Sequence, residues 1–172
     1  YGPLVDEFTG AVHGRRSEWR IGAPSYSRAL EKVVIAAGYS LEAEADAWSI
    51  DVSAPRPPSP ENIRIKPVAT IEDLKALRTV FLAAFNRFDP NELDPIEEDL
   101  KRCTPPGGRT IRFLAYDSHS GAPLSSGAMD VFPELGMAFM WGGSTIKSAR
   151  GRGLYSALIT ARMNAARQLG LE

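Results

Sequence analysis

Between Pro55 and Pro60, four of six residues are proline. Each proline fixes φ near about −65° and lacks an amide hydrogen, so neither a helix nor a central strand can cross this stretch. Extended polyproline II is the conformation left to it. The run divides the 172-residue chain into a short N-terminal region, 1–53, a linker, 54–60, and a longer C-terminal region, 61–172. That length suits one domain with a small appendage. Apolar residues at 44% and charged residues at 24% exclude a coiled coil, a collagen-like chain and a wholly disordered one. A net charge of −1 gives no global pull toward nucleic acid or a membrane surface. One cysteine, Cys103, excludes an internal disulfide and a multi-cysteine zinc site, and the two histidines, His13 and His119, lie too far apart to suggest a metal. No apolar run approaches the ~18 residues needed to span a bilayer, and no signal peptide is evident. The expected setting is a reducing, cytoplasmic one.

In the N-terminal region, Trp19-Arg20-Ile21 and residues 47–52 read as short strands. Between them a helix capped by Ser25 carries Leu30, Val33, Val34 and Ala37 and stops at Gly38. The expectation is a small α/β unit docked by Trp19, Trp48 and Ile50. After the prolines, residues 63–68 read as a strand, and Thr70 with Asp73 three residues on forms a variant capping box for the helix that follows. Asp94-Pro95 opens a second, shorter helix with proline at its first position. Strands then follow at 111–116, 124–132 and 137–146, separated by turns at hairpin spacing, and a helix occupies about 152–169. The order from residue 61 is β-α-α-β-β-β-α. It predicts an α+β, or mixed α/β, fold: a twisted sheet with an antiparallel meander and a final crossover helix.

Chemistry concentrates at Gly142 to Tyr155, where a strand runs through a short loop directly into a helix. The predicted apolar stripe of that helix is Leu154, Leu158, Ala161, Ala165 and Leu169. The first turn of a helix leaves amides without partners and favours negative charge. Gly151 and Gly153 allow a phosphate to approach those amides, and Arg150 and Arg152 add cationic donors. Residues 147–172 have a local charge balance of +4, leaving −5 for the rest, so this end of the chain suits a small anion or is a solvated basic face. The Walker A pattern fails, because Ile146 stands where glycine must precede Lys147-Ser148. The dinucleotide fingerprint is matched only in part, with Ser156 at its third glycine and antiparallel rather than parallel strands before it.

Arg150-Gly151-Arg152-Gly153-Leu154-Tyr155 resembles the R/Q-x-x-G-x-G/A signature of the GNAT superfamily of acyl-CoA-dependent N-acyltransferases, with Tyr155 at the last position in place of Gly or Ala. The element order of residues 61–172 resembles that family too. The resemblance implies an N-acyltransferase that moves an acyl group, acetyl in the first instance, from acyl-CoA to an amine by direct attack and without a metal. It implies that Gly143, Ser144 and Thr145 pair with the pantetheine arm of acetyl-CoA. The loop residues Arg150, Gly151, Arg152, Gly153, Leu154 and Tyr155 would hold its pyrophosphate. It also implies a strand bulge, for which Gly142-Gly143 are suited, with a backbone amide stabilising the oxyanion. The catalytic residues stay unassigned: Asp130 and Glu134 are candidates for the base, but Asp130 near a strand end and Glu134 in a turn read more readily as solvated carboxylates. The implied partner is a small-molecule or peptide amine, with no nucleic acid or membrane, and a homodimer is left open. The family's closing strands do not occur before Glu172, so the expectation is a domain lacking its C-terminal strands, inactive and poorly soluble by itself. Two rivals are a non-catalytic CoA-binding regulatory domain and a nucleotide-binding oxidoreductase fragment.

Overall fold

The helix after β1 shows how local chemistry sets the frame. Thr70 Oγ1 accepts the Asp73 amide at 3.1 Å, and the Asp73 carboxylate accepts the amides of Ala69 and Thr70, so the expected capping box is closed in both directions. In this computed structural model, residues 1–13, 19, 27–41, 44, 49–56, 58–85, 93–103 and 108–171 are described. The elements are α1 (Gly2–Ala11), α2 (Arg28–Ala36), β1 (Ile63–Pro67), α3 (Ile71–Ala84), α4 (Ile96–Cys103), β2 (Thr110–Asp117), β3 (Pro123–Phe132), β4 (Met137–Thr145) and α5 (Leu154–Gln168). Short 3-10 turns at Pro133–Leu135 and Lys147–Ala149 flank β4.

The four strands pair in sequence order, β1-β2-β3-β4, and every pairing is antiparallel. The expected meander is therefore present, and a parallel doubly wound sheet, which the oxidoreductase alternative needs, is not. Alternation along β2 assigns the two faces of the sheet. Leu114 and Tyr116 point toward α3 and share a core with Val68, Leu74, Leu77 and Val80. Phe113 and Ala115 point the other way, to Leu154 and Leu158 of α5. Ala161 and Ala165 also line this second core, but Leu169, which the stripe included, is 52% exposed, and Leu171 is buried against Val131 instead. The reversal at Gly170, φ +73°, carries Leu171 back under the sheet.

The chain divides into two compact units, Tyr1–Trp48 and Ser49–Glu172. In the first, α1 and α2 enclose Val5, Leu30 and Val34, and Trp19 stacks edge-on against Phe8 and Tyr39. The sequence reading missed α1, and the cap of α2 is Ser27, whose Oγ takes the Leu30 amide, rather than Ser25. The described part of this unit is helical. Residues 20, 21, 25, 47 and 48, on which the predicted strands, cap and Trp48 contact rest, lie outside the described residues. Residues 49–52 form no strand: Asp51 Oδ1 accepts the Ser53 amide and closes a turn. The prolines are anchored within the second unit. Arg56 bonds Asn164 of α5 and the Val52 carbonyl, and Pro60 lies against Gly153.

Lys66 Nζ sits 2.5 Å from the buried Asp73. Burial raises the Asp73 pKa, but the Lys66 contact and the amides outweigh it, and the net shift is down from 3.8. A lowered carboxylate pKa stabilises the fold above the ordinary value and loses that contribution as pH falls through the folded one. Urea unfolding is therefore expected to weaken below about pH 4, and Asp73→Asn should flatten that acid limb. At neutral pH, Thr70→Ala should cost about 1 kcal/mol by the same measurement.

Candidate functional site

β4 is an outer strand, and its ladder with β3 breaks where its glycines lie. Ser126 pairs with Ser144, but Ala128 pairs with Trp141, so two steps on β3 span three on β4. The extra residue falls at Gly142-Gly143, and Gly142 adopts φ +62°, a backbone that only glycine enters at little cost. The bulge expected there is present. Beside it a hydroxyl network fixes the end of the strand. Ser125 Oγ donates to the Ser144 carbonyl at 2.6 Å and so accepts from Thr145 Oγ1 at 2.7 Å, while Ser126 and Ser144 Oγ atoms lie 2.6 Å apart.

Beneath the bulge lies Arg162, 1% exposed. Its Nη1 donates to the carbonyls of Ala128 and Trp141, and its Nε donates to Leu158 of its own helix. A side chain on Gly127 would meet the guanidinium carbon at 3.2 Å. Burial pushes the Arg162 pKa down, and Tyr155 partly offsets this. The basic-face reading of residues 147–172 is thus wrong for Arg162, which contributes nothing to a solvated surface. Tyr155 packs its ring on Gly143 so closely that a Cβ there would sit 2.5 Å from the ring edge.

From β4 the chain passes through the Lys147–Ala149 turn to Arg150, which donates to the carbonyls of Thr145 and Ala84. Gly151 and Gly153 have φ of +77° and +75°, and Gly153 is the N-cap of α5, where no side chain caps the first-turn amides. Those amides and the positive end of the helix dipole remain for an anion. Arg152 pairs with Asp117 of the β2–β3 turn at 3.2 Å. The Ser120 amide, the Arg152 guanidinium and the His119 amide hold the Asp117 pKa down to about 2, so the carboxylate is ionised at neutral pH. All nine residues singled out in the sequence, Gly143, Ser144, Thr145, Arg150, Gly151, Arg152, Gly153, Leu154 and Tyr155, lie in this one strand–loop–helix junction. Seven face the loop or strand end with polar atoms or glycine backbone, whereas Leu154 is core and Tyr155 covers Gly143.

Both candidate bases are engaged by other side chains. Glu134 pairs with Arg109 on an exposed turn, and local hydrogen bonds lower its pKa. Asp130 accepts the Thr110 hydroxyl at 2.7 Å, two residues beyond Ala128. Cys103 has its thiol pKa raised by burial, which suits no nucleophile. The sequence reading missed a cavity of about 210 Å³ between α3, α4 and the sheet. Gly142, Trp141, Ser126 and Ala128 line one side, and Arg78, Asp94, Asp99, Arg102 and Arg112 are among its other walls.

No protein-family model and no curated protein matches the sequence. Solved structures do match it in fold. An aminoglycoside acetyltransferase from an uncultured soil metagenomic sample, in complex with sisomicin, aligns with TM-score 0.55 and 17% identity over 64% of this chain and 74% of its own. A GCN5-related N-acetyltransferase from Sphaerobacter thermophilus aligns with TM-score 0.52 and 21% identity over 69% of this chain and 36% of its own. The aminoglycoside 6'-N-acetyltransferase AAC(6')-Ih from Acinetobacter baumannii gives 0.51 and 15% over 64% and 75%. The chain has the GNAT fold. Within the GNAT fold, the predicted α+β class and antiparallel meander hold, and the bulge of β4, the glycine loop and the bare start of α5 form one continuous edge. No helix among the described residues is long and apolar enough to cross a membrane.

Gly143→Ala should test this junction. Its φ is not in the left-handed region, so the cost is the collision with Tyr155 alone. A loss of about 1–3 kcal/mol in urea unfolding is expected, and Tyr155→Ala in the same chain should recover most of it.

Proposed function

We propose that this protein is an acyl-CoA-dependent N-acyltransferase, with acetyl-CoA as the first donor to test and an amine as acceptor. The observation that carries the reading is the β4 bulge at Gly142-Gly143 leading through Gly151 and Gly153 into an uncapped helix. The residues fit a pyrophosphate arm. Two glycines at positive φ expose backbone to it, α5 lends its dipole, and Arg150 and Arg152 are held at the loop by backbone carbonyls and Asp117. Gly143, Ser144 and Thr145 lie on the outer strand, whose second side pairs with no strand among the described residues and is offered to pantetheine amides. When bound, acyl-CoA supplies an activated thioester carbonyl.

An amide of the bulge is the natural donor to the oxygen of that carbonyl as negative charge develops on it. The acceptor nitrogen forms the new C–N bond, the C–S bond breaks, the nitrogen gives up a proton and the sulfur leaves as thiolate. Asp130 and Glu134 are already bonded to Thr110 and Arg109, so a solvent chain serves as the path in this reading. The cytoplasm is the proposed setting.

Calorimetry with acetyl-CoA tests the loop. Gly151 has open space where a Cβ would project, so Gly151→Asn reports the cost of the backbone conformation alone. Gly151→Asp adds a carboxylate at the phosphate position and should lose about tenfold more affinity than the Asn variant. Equal affinities in the two variants would place the pyrophosphate elsewhere. Acetyl-CoA binding without CoA release on a panel of amines would favour the non-catalytic regulatory alternative.

A further inference from the structure

The cavity beside the bulge has an unusual charge balance. Asp99, with 8% of its side chain exposed, is the focus of three arginines from three elements. Arg112 of β2 grips it with Nη1 at 2.9 Å and Nη2 at 2.7 Å, Arg78 of α3 adds a contact at 3.1 Å, and Arg102 of α4 one at 3.4 Å. Both oxygens thus carry two N–H donors, which fills a carboxylate. Asp94 is engaged as well, its carboxylate by Arg102 and its carbonyl by Arg78 at 2.6 Å. The two acids of the wall are therefore already occupied by cations. Among the described lining residues, three guanidiniums face two carboxylates.

Arginine has donors to spare. Each guanidinium has five N–H groups and uses two in these bonds. Among the described residues, the Nε atoms of Arg78 and Arg112 and the Nε1 of Trp141 are buried without a partner. Arg112 also lies 5.5 Å from the centre of the Trp141 ring, which forms the wall next to Gly142. A polyamine entering here meets three guanidiniums, and among the described residues both lining acids are already paired with them. A carboxylate entering here meets the guanidiniums of Arg78, Arg102 and Arg112, which keep N–H groups beyond those used on Asp94 and Asp99.

We propose that this cavity is a carboxylate subsite, so that one reactant of the transfer carries a carboxylate at its non-reacting end. This rests on the acyltransferase reading. The cavity, about 210 Å³, has room for a small carboxylate-bearing group. The carboxylate arrives on the acceptor amine or at the end of the acyl chain, and the chemistry of its recognition is the same in both cases.

The test uses the full chain and calorimetry. Without any CoA ester, γ-aminobutyrate should bind about tenfold or more tightly than n-butylamine, and spermidine should bind no better than butylamine. In parallel, succinyl-CoA is compared with acetyl-CoA. An advantage confined to γ-aminobutyrate assigns the carboxylate to the acceptor, and one confined to succinyl-CoA assigns it to the acyl chain. The half-exposed Arg102 gives a mild variant, Arg102→Gln, that should erase most of the preference. Arg112→Lys keeps the charge and loses the fork, and should weaken it with the circular dichroism of the fold unchanged. Equal or tighter binding of butylamine or spermidine, with no succinyl-CoA advantage, overturns the subsite. Failure of both CoA esters to bind overturns the acyltransferase reading, while the γ-aminobutyrate titration still decides the subsite.

Discussion

A guanidinium without a facing carboxylate, held under a break in a sheet, is the contact on which the junction depends. Arg162 is almost wholly buried, and taking a charge out of water is costly unless polar atoms replace the solvent. Here the carbonyls of Ala128 and Trp141 replace it, one on each strand flanking the bulge, and Leu158 adds a third. The same side chain that compensates the irregular ladder therefore also bolts α5 to it. The bare helix start and the bulged strand are fixed relative to each other from below, not only through the loop between them.

The sheet separates two kinds of environment by strand alternation. Phe113 and Ala115 face α5 and an apolar core that keeps the helix seated. One residue away on the same strand, Arg112 faces α4 and the charged cavity. Trp141 belongs to both settings, its carbonyl bonded to Arg162 and its ring beside Arg112. The bulge is where these two faces communicate, since the extra residue shifts which side chains of β4 point each way.

From residue 61 onward the elements were legible because their signals are local. The Thr70/Asp73 box, the proline at the start of α4, and the Pro133–Gly136 turn, with Gly136 at φ +62°, each specify structure within four residues. Arg162 was not legible, because its burial depends on carbonyls 34 and 21 positions away and on a glycine at 127 that leaves it room. The arginine cluster was missed for the same reason: Arg78, Arg102 and Arg112 come from three elements and show no spacing in the sequence. In the first unit, α1 was overlooked although Val5 and Phe8 have helical spacing, and the cap of α2 was placed at Ser25, two residues before Ser27, which holds the Leu30 amide.

The proline run, read first as a spacer, has a different mechanical character. Pro60 lies against Gly153, the N-cap of α5, Arg56 reaches Asn164 further along that helix, and Arg167 near its end bonds the Val52 carbonyl. Polyproline resists bending because its φ angles are locked. The segment therefore lies along α5 as a splint touching it near its start, middle and end. A shortened chain beginning at β1 would keep every strand and still lose that support, in line with a second compact unit that begins at Ser49 rather than Ile63.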